Sequence, residues 1–335
     1  MRRVPAARLA FLVTGILVMA GAFLAGHVLT PFQQTMVGFA GINIILAVSL
    51  SFSNGLTGLF SLGHPAFMMV GGYTAAILTF PAARKAMMMP ALPDAVAGIE
   101  APFIVATLAG GMLAALVALI SGFPVLRLKG HYLAVATIGL IVILRVVVNN
   151  ADGVTRGAIG ISGIPRLSTL PWIFGWALLT LFVLWRLKHG APGRALMAIR
   201  ENELAAAAIG VDRAAGRMKA FVLGAFFAGV GGALWAHLVT NLTPASFGIP
   251  LAFMLVAMVV IGGSGSLIGA AVAAIALSIV GEVMRPIERD LGAYGLMQIT
   301  IALTLIAVML LRPSGLFGGG EPISDTFPPK RRSMQ

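Results

Sequence analysis

The side chains able to do chemistry are few in this chain, and their spacing excludes most reactions. There is no cysteine, which removes disulfides, thiolate metal sites and thiol nucleophiles. His27, His64, His131, His189 and His237 are scattered without metal-ligand spacing. None of the five lysines follows a glycine, so there is no G-K-[S/T] phosphate loop, and H-E-x-x-H and G-x-S-x-G are absent too. All eleven acids fall in loops or at the ends of apolar spans, whereas proton- or sodium-driven carriers commonly hold a carboxylate at mid-membrane. The chain is therefore expected to have no catalytic residue and no metal site, and any ATP chemistry is expected on another chain.

Two polar breaks in apolar sequence and one charged stretch remain. Asn54, Gly55, Thr57, Gly58, Ser61, Gly63, His64 and Pro65 form the first break; Gly262, Gly263, Ser264, Gly265, Ser266 and Gly269 form the second. Irregular backbone at membrane depth survives only where protein or a water-filled cavity covers it, which makes both breaks candidate pathway walls. The alternative is an ordinary polar turn at the membrane surface. Asn54, Thr57, Ser61, Gly63, His64 and Tyr73, with Gly263 and Gly265, are the candidate substrate-pathway residues. The imidazole of His64 suits bonding to a freed backbone carbonyl or to a solute.

The charged stretch, residues 186–219, sets Glu201, Glu203 and Asp212 among Arg194, Arg200, Arg213, Arg217 and Lys219. Leu204 to Ile209 favours helix and Gly210 stops it. A short helix is expected from about Glu201 to Ile209, with both acids near its start, where they suit the macrodipole. Such a segment offers a soluble partner something to grip; a solvated loop that only sets topology is the alternative.

These residues must be carried by elements that live in lipid. Apolar residues make up 59% of the chain and charged residues 10%, against about 25% charged in an average soluble domain. A mean hydropathy of +0.99 over 335 residues leaves room for many spans of about 20 residues. A water-soluble fold is excluded. The reading is all-α: a polytopic membrane protein of about ten transmembrane helices, some broken or re-entrant, near 9-29, 35-53, 64-81, 101-123, 131-149, 170-187, 219-240, 249-263, 266-283 and 293-311. The first run follows Arg2, Arg3 and Arg8 but is long for a signal peptide and lacks a clear cleavage site, so it reads as a retained span.

With ten spans both termini share a side, and 16 of the 23 bases lie on it; six lie opposite, and Arg145 falls within a span. The positive-inside rule then makes the N- and C-termini and the charged stretch cytoplasmic. The net charge of +12 thus reads as membrane orientation, with no nucleic acid partner. Trp172 and Trp176 near one end of the sixth span, and Trp185 near the other, suit interfacial belts. Gly224, Ala228, Gly232 and Ala236 form a small-residue stripe for close approach of a helix, from this chain or another subunit. A Gly/Ser break in each half hints at an internal repeat without establishing one.

Several short motifs carry a resemblance when taken in order. Ala47-Val48-Ser49-Leu50, Gly55, Gly58, Ser61-Leu62-Gly63-His64, Ala66-Phe67 and Gly71-Gly72-Tyr73 come first. Leu126-Arg127-Leu128-Lys129-Gly130 with Tyr132-Leu133-Ala134, the run from Thr155 to Pro165, Gly193-Arg194-Ala195, Ala198-Ile199-Arg200-Glu201-Asn202-Glu203, Ala206-Ala207, Gly210 and Lys219-Ala220-Phe221 follow. The run from Ile261 to Gly269 and then Arg312-Pro313-Ser314-Gly315-Leu316 close the series. Each is weak alone; the ordered succession, across most of the chain, resembles the branched-chain amino acid ABC-transporter permeases of LivM type. Leu204 departs from that pattern, standing where the general importer coupling motif places a glutamate.

The resemblance implies one permease domain over 1-320, a coupling loop at 186-219, and a cytoplasmic tail at 321-335 without fixed structure. It implies two ABC ATPase subunits holding ATP and magnesium, a second related permease, an extracytoplasmic substrate-binding protein and a bacterial inner membrane. Arg194, Arg200, Glu201, Glu203 and Gly210 become the candidate ATPase-coupling residues. The substrate class implied is branched-chain or other hydrophobic amino acids, while urea, short amides or aromatic amino acids fit the same general pattern. A passive channel or an ion-coupled carrier would leave the coupling-like loop unexplained.

Overall fold

The computed structural model describes residues 4–128, 130–293 and 295–318. The tail at 321-335 and Lys129 lie outside the described residues. Helix accounts for nearly all regular structure. In chain order the helices are α1 (Val4–Val28), α2 (Pro31–Leu50), α3 (His64–Thr79), α4 (Ala82–Met88), α5 (Asp94–Ala97), α6 (Phe103–Val125), α7 (His131–Asn150) and α8 (Asp152–Thr155). They continue as α9 (Leu170–His189), α10 (Ala191–Glu201), α11 (Glu203–Ala208), α12 (Arg213–Val239), α13 (Ile249–Gly262), α14 (Leu267–Leu291) and α15 (Leu296–Leu311). Two-residue strands, β1 (Ile161–Ser162) and β2 (Asn241–Leu242), pair antiparallel with Ile161 opposite Leu242.

A helix occupies each of the ten segments expected to span. Six are long and apolar enough to cross a membrane, and α3 with α4, bent by 118° across a short break, makes a broken or re-entrant seventh. The apolar part of α1, α13 and α15 are shorter. The protein is an all-α, multi-pass membrane protein. Several helices outrun the expected limits: α12 starts at Arg213, α14 continues to Leu291 and α9 reaches His189. A helix need not stop where hydrocarbon stops, so Arg217, Lys219, Arg285 and Arg289 ride on helices and not in loops. The boundary between α1 and α2 is sharp because Thr30 and Gln33 form a capping box before α2. Gln34 closes the turn by donating to the carbonyls of Gly26 and Leu29, at 2.9 and 3.0 Å.

α12 is the hub, packed against α3, α6 and α2. Its small-residue stripe faces this chain: a Cβ on Gly224 would lie 3.0 Å from the Ser53 Cβ, and at Gly232 the Met68 carbonyl fills the space. The Gly71, Gly110 and Gly229 backbones also meet, with a Cβ on Gly110 placed 2.6 Å from the Gly71 carbonyl oxygen. Glycine there lets three helices approach to backbone contact. One belt assignment fails. Trp176 is buried on the inner face of α9, whereas Trp172 is exposed and packs edge-on to Phe103 at 5.8 Å.

Candidate functional site

The first break begins where α2 loses regular winding. Beyond Leu50 it widens into a π-helical turn over Ser51–Gly55, a geometry frequent at functional sites. Serine and threonine hydroxyls compete with the backbone ladder here. Ser53 Oγ donates to Leu50 O at 3.2 Å, the Thr57 hydroxyl donates to the Ser53 carbonyl, and Ser51 Oγ donates to Ser266 O at 3.2 Å. Gly58, at φ +70, turns the chain into an irregular run that ends at α3.

Side chains satisfy the backbone freed in that run. Asn54 Nδ2 donates to Ser61 O at 2.8 Å, Leu62 N to Thr137 Oγ1 at 2.9 Å, and Gly63 N to Ser61 Oγ at 3.3 Å. Asn54, Thr57, Ser61, Gly63 and His64 are all buried. The Ser49 hydroxyl donates to Leu46 O at 3.0 Å, which leaves His64 Nε2, 3.3 Å away, as the donor to Ser49 Oγ. His64 Nδ1 is then an acceptor, and both it and Asn54 Oδ1 are buried without a partner. Tyr73 lies apart, nine residues and about 14 Å further along α3, where its hydroxyl donates to Leu242 O at 3.2 Å.

The second break is a tight turn with Gly263 at φ +108 and Gly265 at φ +96, closed by Ser266, whose Oγ accepts from Gly269 N at 3.0 Å. The C-terminal segment covers it: Leu316 N donates to Ile261 O at 2.8 Å. A Cβ on Gly55 would sit 2.5 Å from Gly265 N, so the two breaks touch backbone to backbone. Two cations bind this junction. Lys188 Nζ donates to Gly265 O at 2.7 Å, and one Arg200 nitrogen donates to Gly55 O at 2.7 Å and Ser264 O at 3.4 Å. Arg200 thus joins the predicted coupling loop to the predicted pathway breaks. Lys188, only 6% exposed, was missed by sequence reasoning, because a lysine at a span end carries no signal of inward bonding.

The helix expected from about Glu201 to Ile209 is present as α11, Glu203–Ala208, and starts two residues later than expected. Glu201 closes α10, and Asn202 is extended at φ −156 and ψ 110, with Oδ1 accepting from Leu204 N and Ala205 N at 3.0 Å each. Asn202 therefore caps α11, and the placing of Glu201 near that helix's start is corrected: it belongs to the preceding element. Glu203 does begin α11, and its carboxylate pairs with Arg213 at 3.4 Å and with Arg217. Gly210 ends the helix at φ +83, with Gly210 N bonding Ala207 O and Val211 N bonding Ala206 O at 3.0 Å each, a Schellman closure. Arg194 is exposed and donates to His189 O at 3.3 Å, away from the junction. Leu204 and Ile209 are 77% and 76% exposed. Among the described residues no group of three or more His, Asp or Glu could hold a metal ion.

Residues 32–311 match the family described as the branched-chain amino acid transport system permease component. The chain is 32% identical over 315 residues to the high-affinity branched-chain amino acid transport system permease protein LivM of Escherichia coli, covering 84% of this chain and 69% of that one. It is 31% identical, with the same coverage, to the protein of that name from Salmonella typhimurium. No solved structure matches.

Proposed function

The chain belongs to the branched-chain amino acid transport permease family, and from that membership we propose that it is the membrane-spanning subunit of an ATP-driven importer. It passes branched-chain or other hydrophobic amino acids delivered by an extracytoplasmic binding protein, in a bacterial inner membrane. A second, related permease and two ATPases complete the assembly, and the ATPases hold ATP and magnesium. Both termini and the 186–219 stretch face the cytoplasm.

The observation that carries this reading is the α10–α11 element. Its tip presents Leu204 and Ile209, both about three-quarters exposed, on a segment outside the apolar helices. Apolar side chains held out on a capped helix favour burial against a partner groove. Its other end is bonded through Arg200 to Gly55 and Ser264. Nucleotide-driven motion of the ATPases would push α11, and the Arg200 and Lys188 bonds would pass that motion to the π-helical turn and the Gly263–Gly265 turn as rigid-body rocking. Asn54 Oδ1 and His64 Nδ1, buried acceptors beside Ser61, support that region as the place where solute or water donors pass.

The test is gentle purification of the tagged full chain with identification of the chains that accompany it. Wild type should bring two ATPase copies and a second permease. Leu204→Asp should lose the ATPases while keeping the permease partner and its membrane abundance. Full ATPase recovery with Leu204→Asp would remove α11 as the docking helix.

A further inference from the structure

A cavity of about 160 Å³ lies between α2, α13, α14 and α15, with Met68 of α3 and Trp235 of α12 in its wall. Glu282 and Arg285 face it from α14 and pair at 3.2 Å, one helical turn apart. The Arg285 guanidinium also stands 5.9 Å from the Phe39 ring centroid. Asn43 Nδ2 donates to Ser278 Oγ at 2.9 Å on the adjoining turn of α14. Four of the chain's seventeen methionines, Met36, Met68, Met254 and Met297, supply apolar wall. Gly281 lets Met297 pack against α14, since a Cβ there would lie 2.7 Å from the Met297 methyl carbon and push it towards the cavity.

The pair sits near the polar end of α14 and faces a cavity walled by apolar helices, where a solute carrying both charges can be held. A free amino acid carries both charges that this pair can meet. We propose that the cavity is a binding station for zwitterionic amino acids with apolar side chains, Glu282 taking the α-ammonium and Arg285 the α-carboxylate. The proposal rests on the permease reading above.

In the empty cavity the two side chains neutralise each other, Glu282 half-buried against the wall and Arg285 exposed at the rim. A zwitterion inserted between them replaces one ion pair by two. A monoamine or a monocarboxylate meets only one of the two charges, so it gains one ion pair where a zwitterion gains two. The thioether walls supply the other half of the selectivity. Methionine adapts its shape at little cost, which suits leucine, isoleucine and valine side chains alike. Glu282 lies fifteen residues beyond Leu267, about 22 Å along α14 from the Gly265 turn, and so towards the end from which a binding protein delivers. Met68 lies one turn along α3 from His64, on the same face, which connects the cavity to the first break.

The probe is tritiated leucine bound to the purified full-length chain in lipid nanodiscs without ATPases or binding protein. Wild type should bind it saturably, with displacement by unlabelled leucine, isoleucine and valine. 3-Methylbutylamine and 4-methylpentanoate should compete about tenfold more weakly, since each forms only one of the two charge-assisted bonds. Glu282→Gln and Arg285→Gln should each weaken leucine binding by a similar factor, and Gly281→Leu, which fills the cavity without changing charge, should abolish it. Arg289→Gln, four residues on and exposed, should change nothing. Absence of saturable binding, equal competition by the amine and the acid, or wild-type affinity in both charge variants would overturn the proposal. Failure of the permease reading itself shows separately, as absence of ATP-dependent leucine uptake by the wild-type assembly.

Discussion

At Gly55 and Gly63 the same residue type meets two different demands. Gly55 faces Gly265 with no room for a Cβ, whereas Gly63 has an ordinary right-handed φ of −77 and its nearest neighbour, the Thr137 Cβ, stands 3.4 Å from where a Cβ would be. Gly55→Ala should therefore separate the two breaks and cost about 1–3 kcal/mol by overpacking. Gly63→Ala should stay within about 0.5 kcal/mol of wild type. Thermal unfolding of the detergent-solubilised chain measures the contrast; equal midpoints would mean that the two breaks do not touch. A larger side chain at Gly63 is different, because it reaches Thr137 and Phe67, and Gly63→Leu should stop uptake while assembly persists. Arg200 carries the third prediction at this scale. Arg200→Gln withdraws a charged donor from two carbonyls, worth about 1.5–3 kcal/mol. Transport per ATP hydrolysed should fall while ATPase recovery stays at wild-type level; a parallel loss of both would assign Arg200 to docking.

Among the elements, α11 shows how far sequence reaches. The run from Leu204 to Ile209 and the stop at Gly210 were legible, because alanine-rich sequence followed by glycine matches a helix and its left-handed end. The break at Asn202 was not. Glu201-Asn202-Glu203 continues a helical pattern by propensity, and asparagine becomes a cap only where the chain turns to aim its Oδ1 at the next amides. Beside that turn Glu203 pairs with Arg213 and Arg217, ten and fourteen residues away. Reversing the Glu203 charge would thus disturb the loop's own packing and is a poor probe of docking. Asn202→Ala should cost α11 about 1 kcal/mol, and Asn202→Asp should retain the cap. Amide exchange over residues 203–208 should quicken about fivefold in the first variant and stay near wild type in the second. Unchanged exchange in both would mean that Asn202 is not what starts the helix.

For the whole molecule, apolar run length located the ten helical segments, since about 20 residues of hydrocarbon-compatible sequence is a constraint that each segment meets alone. The small-residue stripe of α12 was equally legible as a contact surface, and its neighbours prove to be α2 and α3 of this chain. Contacts between distant segments were not legible. Nothing in the spacing of Gly55 and Gly265 tells that they touch, or that Lys188 and Arg200 return to bind them. That arrangement bears on where the energy enters. On α14, Glu282 is already paired with Arg285, and Glu288 accepts from the Gly295 and Met297 amides. The end that carries α11, in contrast, has a capped and exposed helix tied to both breaks. Force applied at α11 therefore has a continuous bonded route to the backbone of both breaks. In proteoliposomes holding the full assembly and the binding protein, leucine uptake should require ATP on the α11 side. It should persist when a proton ionophore and a sodium ionophore collapse both gradients. Uptake without ATP that the ionophores abolish would make the protein an ion-coupled carrier and leave the α10–α11 element without a role in transport.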